Sequence, residues 1–329
     1  MKIYVDFDDI LSETALYFSH LVKKMFGKYV PYEDMKATYH LPGLFEFYGF
    51  YKIFLPVFYA HREFFYEWCQ IGSIYGAPAE CLWGGGRAGY GENGIEKDVL
   101  ALSKEFGFSV RLTLSNSMLE KEHLGDRKCN QLCSLFQSEN NGIIVHSDLL
   151  LDYLRKTYPQ YYFVSSTTKV LEDFDEFNRE LNREEFSYVV PDFRLNPKTE
   201  LLGTVAPQNR SKVEFLCNEC CWFSCRNRKK CYEEVSRSVL GLKSSGWRCC
   251  SPESYRGYRF SDAMKNPAFI GIQQIKDVYM PMGFSNFKIE GRSLGSAMIL
   301  EFLLYYMTKP EFQLQVRELI YLDNSLDLF

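Results

Sequence analysis

Gly283-Phe-Ser-Asn-Phe-Lys288-Ile-Glu290-Gly-Arg292 alternates from one residue to the next and runs directly into the apolar stretch Leu294–Thr308. Period-two alternation marks a strand with two unlike faces, and the apolar run after it has the length of a buried helix. Lys288, Glu290 and Arg292 share one face of that strand, while Phe287 and Ile289 share the other, toward a helical layer. Three charged side chains on an enclosed face are costly unless they pair with one another or with a ligand.

Working outward, strand-like runs recur at Ala37–Leu41, Cys69–Tyr75, Ser109–Ser115, Gly142–Ser147, Gln160–Ser166, Phe186–Asp192 and Lys212–Asn218, so the closing one is the eighth. A separate candidate, Lys2–Asp6, stands apart at the N-terminus. Helical spacers are expected at Leu44–Trp68, Ile95–Phe106, Met118–Gln137, Asp148–Lys156, Glu172–Leu181 and Leu294–Thr308. Eight strands alternating with helices predict an α/β fold, a (β/α)8 TIM-like barrel, in preference to an open doubly wound sheet with an appended small domain. The 67 residues between Asn218 and Asn286 are too many for a crossover and read as a Cys-rich insertion, about 217–285, on the catalytic face.

Charged residues at the C-terminal ends of barrel strands usually belong to the active site, the alternative being an interior salt-bridge network. Other strand ends add Arg87, Asn116, His146 with Ser147, the Ser165–Lys169 run, Asp192 with Arg194, and Asn218 with Glu219. Together they predict a polar, cation-rich mouth suited to an anionic, carboxylate-bearing substrate, with peptide and aromatic groups also fitting.

Seven of the 11 cysteines, Cys217, Cys220, Cys221, Cys225, Cys231, Cys249 and Cys250, fall within 34 residues of polar and basic sequence. Such a group suggests a soft metal or an iron–sulfur cluster. Zinc is the default for a compact structural site, whereas thiols gathered from distant loops suit iron–sulfur. Loops after strands two and seven open on the same barrel face, so Cys81 could complete a four-thiolate set. Cys69, Cys129 and Cys133, in strand- or helix-like segments, read as small buried hydrophobes. Arg226, Arg228, Lys229 and Lys230 with Trp222 and Phe223 could face RNA, or be a solvated loop offsetting thiolate charge.

The 329 residues are 46 % hydrophobic and 24 % charged, which excludes disorder. A net charge of −4 argues against a protein that works mainly by gripping nucleic acid. Phe47–Ala60 is interrupted by Lys52 and Pro56, and Ala297–Met307 contains Glu301, so neither stretch spans a bilayer. The acidic, strand-like start lacks a leader pattern, and a cytoplasmic location is expected.

The Lys288-Ile-Glu-Gly-Arg292 stretch resembles the signature of the collagenase-like peptidase U32 family, and the resemblance extends over about residues 35–329. It implies a barrel enzyme. Some members are described as proteases; others are oxygen-independent hydroxylases, or assist hydroxylation, acting on quinone precursors or RNA bases with a four-cysteine [4Fe-4S] cluster. The resemblance assigns Lys288, Glu290 and Arg292 to the site and Cys81, Cys221 and Cys225, with Cys249 or Cys250, to the cluster. Pairing of members also implies a non-catalytic partner subunit as an alternative. No Ser-His-Asp order or His-Glu-x-x-His motif supports conventional proteolysis.

Ile3-Tyr-Val-Asp6-Phe-Asp8-Asp9 resembles the first motif of the haloacid dehalogenase superfamily, which implies Asp6 as nucleophile and Asp8 as acid/base over Mg²⁺. That superfamily needs further motifs on an open sheet, for which a barrel from residue 35 leaves no chain. Residues 1–34 are therefore expected to be an inactive appendage, with an Mg²⁺-dependent phosphatase as the alternative.

Overall fold

The computed structural model describes residues 35–86, 91–251 and 259–325. Asp6, Asp8 and the whole 1–34 segment lie outside the described residues, as does Arg87. The eight expected strands form: β1 Ala37–Pro42, β2 Cys69–Gly76, β3 Ser109–Leu114, β4 Gly142–Val145, β5 Tyr162–Ser165, β6 Phe186–Val189, β7 Glu214–Leu216 and β8 Asn286–Lys288. All pairings are parallel, in the order β6-β5-β4-β3-β2-β1-β8-β7. Val189 closes the ring, since its N–H donates to Lys212 O at 2.8 Å and it bridges Val213. This is the α/β (β/α)8 TIM-like barrel.

Helices α1 Tyr48–Ala60, α2 Glu96–Phe106, α3 Arg127–Phe136, α4 Asp148–Thr157 and α5 Phe174–Leu181 follow β1 to β5. The insertion between β7 and β8 holds α6 Arg228–Val239, and α7 Ser296–Met307 and α8 Gln313–Ser325 follow β8. The expected single helix over Met118–Gln137 is instead a 3₁₀ turn, Lys121–Gly125, followed by α3. Asp126 separates them, because its carboxylate caps α3 by accepting the Cys129 N–H at 2.8 Å. Between β6 and β7 there are only short turns, Phe193–Leu195, Thr199–Leu202 and Pro207–Arg210.

The main apolar core lies between sheet and helices. Val110, Leu112 and Leu114 of β3 join it together with Leu102, Leu132, Cys129 and Cys133. The barrel interior is filled differently, by Tyr75, Ile144, Val164, Val190 and Leu216 with Tyr162 and Tyr188 packed against them. Arg111 alternates with the apolar residues of β3 and points inward to this second set.

Candidate functional site

The floor of the mouth is a buried charge group drawn from four strands. Lys288 Nζ of β8 lies 3.0 Å from Glu214 Oε1 of β7, and Arg111 of β3 holds Glu214 Oε2 from across the barrel. His40 Nε2 of β1 is 3.5 Å from Glu214 Oε2 and 3.2 Å from Asn286 Oδ1, while its Nδ1 lies 2.8 Å from Ser73 Oγ. Gly72 opposite leaves room for this ring, since a Cβ there would be 3.1 Å from His40 Cε1 and 2.3 Å from a Thr38 methyl carbon. Arg111 also lies over the Tyr188 ring at 4.3 Å and donates to Tyr162 Oη at 2.8 Å; Lys288 lies over Tyr75 at 4.2 Å. Although burial alone would raise it, the carboxyl of Glu214 is held well below the usual range by Arg111 and Lys288. Burial, reinforced by Arg111, pushes His40 down to about 3, so its imidazole is neutral at pH 7.

Above this floor a cavity of about 60 Å³ is lined by the hydroxyl residues Thr113, Ser115, Ser166, Thr167 and Thr168 together with Lys288, Glu290 and Arg292. The three residues singled out from the last strand therefore meet one cavity. Arg292 Nη1 donates to Thr113 Oγ1 at 2.8 Å and lies 3.4 Å from Glu46 Oε1, and its Nη2 is 3.4 Å from Gly85 O. The Gly84-Gly85-Gly86 loop reaches this carbonyl position because a Cβ at Gly85 would sit 2.7 Å from the Asn116 backbone nitrogen. Gly86, at φ +84°, would collide with the Thr168 methyl at 2.8 Å. Burial raises the Glu46 carboxyl, against the pull of Arg292. The mouth is thus balanced rather than cation-rich, with Arg111, Lys288 and Arg292 facing Glu214, Glu46 and Glu290.

A second, outer chamber of about 480 Å³ shares Thr168 and Tyr232 with the inner one. Its other lining residues include His146, Lys169, Glu180, Lys229 and Arg237. Tyr232 is supplied by α6, so the insertion roofs both spaces.

Asp192 and Arg194 anchor the insertion and line neither cavity. Asp192 Oδ1 accepts from Arg194 Nε at 2.6 Å and Oδ2 accepts from Arg228 Nη1 at 2.7 Å; Arg228 also grips Glu219. The Arg194 guanidinium donates onward to the Cys225 carbonyl. Arg228 is fully buried at the start of α6, over the rings of Phe193 (4.8 Å) and Tyr232 (5.3 Å). It is therefore part of the fold rather than an exposed patch.

The thiols form two groups. Cys81 Sγ lies 3.5 Å from Cys129 Sγ, under the loop that places Trp83. In the insertion Cys225 neighbours Cys250 and Cys231, and Trp247 Nε1 donates to Cys231 Sγ at 3.2 Å. Burial pushes the Cys225 thiol up. Among the described residues, Glu219, Cys220 and Glu290 bring one ligand atom each within 4.8 Å of one another, whereas Cys225, Cys231 and Cys250 do not come together that closely. Both Glu219 oxygens already accept hydrogen bonds there, from Arg228 and from the Cys221 N–H.

Alternation on β3 (Arg111, Thr113) and β7 (Glu214, Leu216) could have located the floor residues by the argument applied to Lys288. On β1 His40 alternates likewise with Ala37, Tyr39 and Leu41, whereas Tyr232 has no comparable signal in the sequence.

No family model and no curated protein matches the chain. Among solved structures, that of the U32 peptidase Mk0906 is similar, with a TM-score of 0.50 and 15% identity over 78% of this chain and 94% of that one. The likeness is one of fold: a U32-type barrel. Among the described residues, no helix is long and apolar enough to cross a membrane.

Proposed function

We propose that the chain is a U32-type barrel hydrolase that seats the polar end of a peptide-like substrate in the inner cavity and the remainder in the outer chamber. The observation that supports this most is the meeting of Lys288, Glu290 and Arg292 with five Ser and Thr residues in one cavity of about 60 Å³. That space holds only a few water-sized groups, and its lining offers donors and acceptors side by side, as an amide or a terminal carboxamide requires. Arg292 and Lys288 would polarise the carbonyl oxygen, and the Glu290 carboxylate would take a proton from the attacking water. Incubating the purified chain with a mixed peptide library and reading products by mass spectrometry tests this. Cleavage by the wild type with at least about a 100-fold loss in Glu290→Gln is expected, in line with the usual worth of a general base. Products that persist unchanged in Glu290→Gln would remove Glu290 from the chemistry.

A second reading, an oxygen-independent hydroxylase, is favoured by the seven cysteines that fall within residues 217–250 of the insertion. Cys225, Cys231 and Cys250, with Cys221, would hold an iron–sulfur cluster whose chemistry is electron transfer. Anaerobic purification with iron and sulfide assays separates the readings. About four irons with matching sulfide per chain, lost in Cys225→Ala, supports a [4Fe-4S] cluster; about one zinc per chain makes the insertion a structural site. A haloacid-dehalogenase-type phosphatase using Asp6, Asp8 and Mg²⁺ rests on residues outside those described.

A further inference from the structure

The two chambers are joined by more than the shared residues Thr168 and Tyr232. A row of hydroxyls runs from the outer chamber to the inner one. His146 Nδ1 lies 2.7 Å from Thr168 Oγ1, Thr168 Oγ1 lies 2.9 Å from Ser166 Oγ, and Ser166 donates to Ser115 Oγ at 3.1 Å. The last hydroxyl, Ser115, donates to the Ile144 carbonyl at 3.4 Å. His146 lines the outer chamber, whereas Ser166 and Ser115 line the inner cavity beside Arg292. The direction of the row follows from its far end. Because Ser166 gives its proton to Ser115, the Thr168 hydroxyl must donate to Ser166, and Thr168 Oγ1 is left to accept from His146 Nδ1–H.

We propose that His146, Thr168, Ser166 and Ser115 form a proton wire that delivers protons from the outer chamber to the reacting group in the inner cavity. This deepens the hydrolase reading and rests on it for the identity of the proton acceptor, the leaving amine. The transfer balances. The acceptor takes the Ser115 proton, which Ser166, Thr168 and His146 Nδ1 replace in turn, while Nε2 takes one proton from the chamber. One proton has then moved inward, and His146 is left as its Nε2–H form with no net charge gained. The ring starts neutral at pH 7, since burial, with Lys169 and Lys229, pushes it down to about 4 against the opposing pull of Asp148 and Glu180. Arg183, Glu233 and Arg237 complete the charged lining of the chamber.

Nitrogen-15 spectra of the histidine rings test the wire without any substrate, so a chain that hydrolyses nothing still reports on it. The chain has five histidines, and His146→Gln identifies the resonances of the ring at the end of β4 by their loss. The wild type is expected to hold His146 as Nδ1–H. In Ser115→Ala the Ser166 hydroxyl is released to donate to Thr168, Thr168 turns to His146, and the ring is expected to switch to mostly Nε2–H, three hydrogen bonds away from the substitution. Thr168→Val, close to isosteric, cuts the row next to the ring and serves as the local control. An Nε2–H ring in the wild type would overturn the proposal. So would a ring that responds to Thr168→Val but keeps its Nδ1–H form in folded Ser115→Ala, since that is the behaviour of a single local hydrogen bond.

Discussion

Glu214→Ala is expected to lose about 3–5 kcal/mol of unfolding free energy at pH 7, the usual cost of removing one partner from a buried ion group. Glu214 is fully buried and is the shared acceptor for Arg111 and Lys288, which are themselves almost wholly enclosed. Without it, two cations of the barrel interior face each other across a low-dielectric space, with only aromatic faces and Tyr162 Oη for compensation. Urea unfolding of the wild type and the variant, followed by circular dichroism, measures the difference. The companion variant Glu214→Ala/Lys288→Met removes one cation along with the anion and is expected to recover part of the loss. A single variant within about 1 kcal/mol of the wild type, the range of exposed pairs, would mean that water reaches the floor and the charges are solvated. The prediction bears on function as well, because Lys288 can project its ammonium into the inner cavity only while Glu214 holds it there.

How far this arrangement could be read from the sequence depended on what each residue had to reveal. The strands were legible because apolar runs and alternation are local properties, and all eight appeared in their expected places. Alternation also gives the face on which a side chain lies, which is why Lys288, Glu290 and Arg292 could be grouped before their cavity was known. It does not give the partner. Arg111 and Glu214 meet across 103 residues of chain, and their pairing turns half of the expected cation-rich mouth into a balanced floor. Helix α6 was missed for a different reason. Its buried positions are Arg228, Tyr232 and Ser236, so the stripe facing the barrel has helical spacing without being apolar, and no hydrophobic period marks it. The cysteines illustrate the same limit. Their density in the insertion pointed to Cys225 and Cys250 together, but the thiol nearest to Cys81 is that of Cys129 on α3, which the sequence presented only as a core residue. The hydroxyl row escaped notice because Ser115, His146 and Ser166 end three different strands, and only closure of the barrel brings them into line.

Stability is expected to fall steeply between about pH 6.5 and pH 4, before any of the depressed carboxylates titrates. His40 and His146 have folded values pushed down to about 3 and about 4, below the roughly 6.5 of an unfolded histidine. Between those limits the unfolded chain binds protons that the folded chain refuses, so unfolding is favoured as pH falls. Each fully effective histidine contributes a slope of about 1.4 kcal/mol per pH unit, so the two together approach twice that near pH 5. Glu214, Asp192 and Glu180, all lowered by their basic partners, act in the same direction but only below the ordinary carboxylate range near pH 4. Glu46 opposes them, because its raised carboxyl takes up a proton in the folded state first and so steadies the fold as pH falls toward that range. Unfolding free energies from urea titrations at pH 7, 6 and 5 give the slope directly. His40→Gln is expected to remove about one proton from it and His146→Gln about another, whatever each does to the absolute stability. A wild-type curve flat from pH 7 to pH 5 would mean that both rings protonate inside the folded barrel. His146 would then enter the wire as an imidazolium at pH 5, and giving its Nδ1 proton inward would leave the neutral Nε2–H ring with no proton taken from the chamber in the same step.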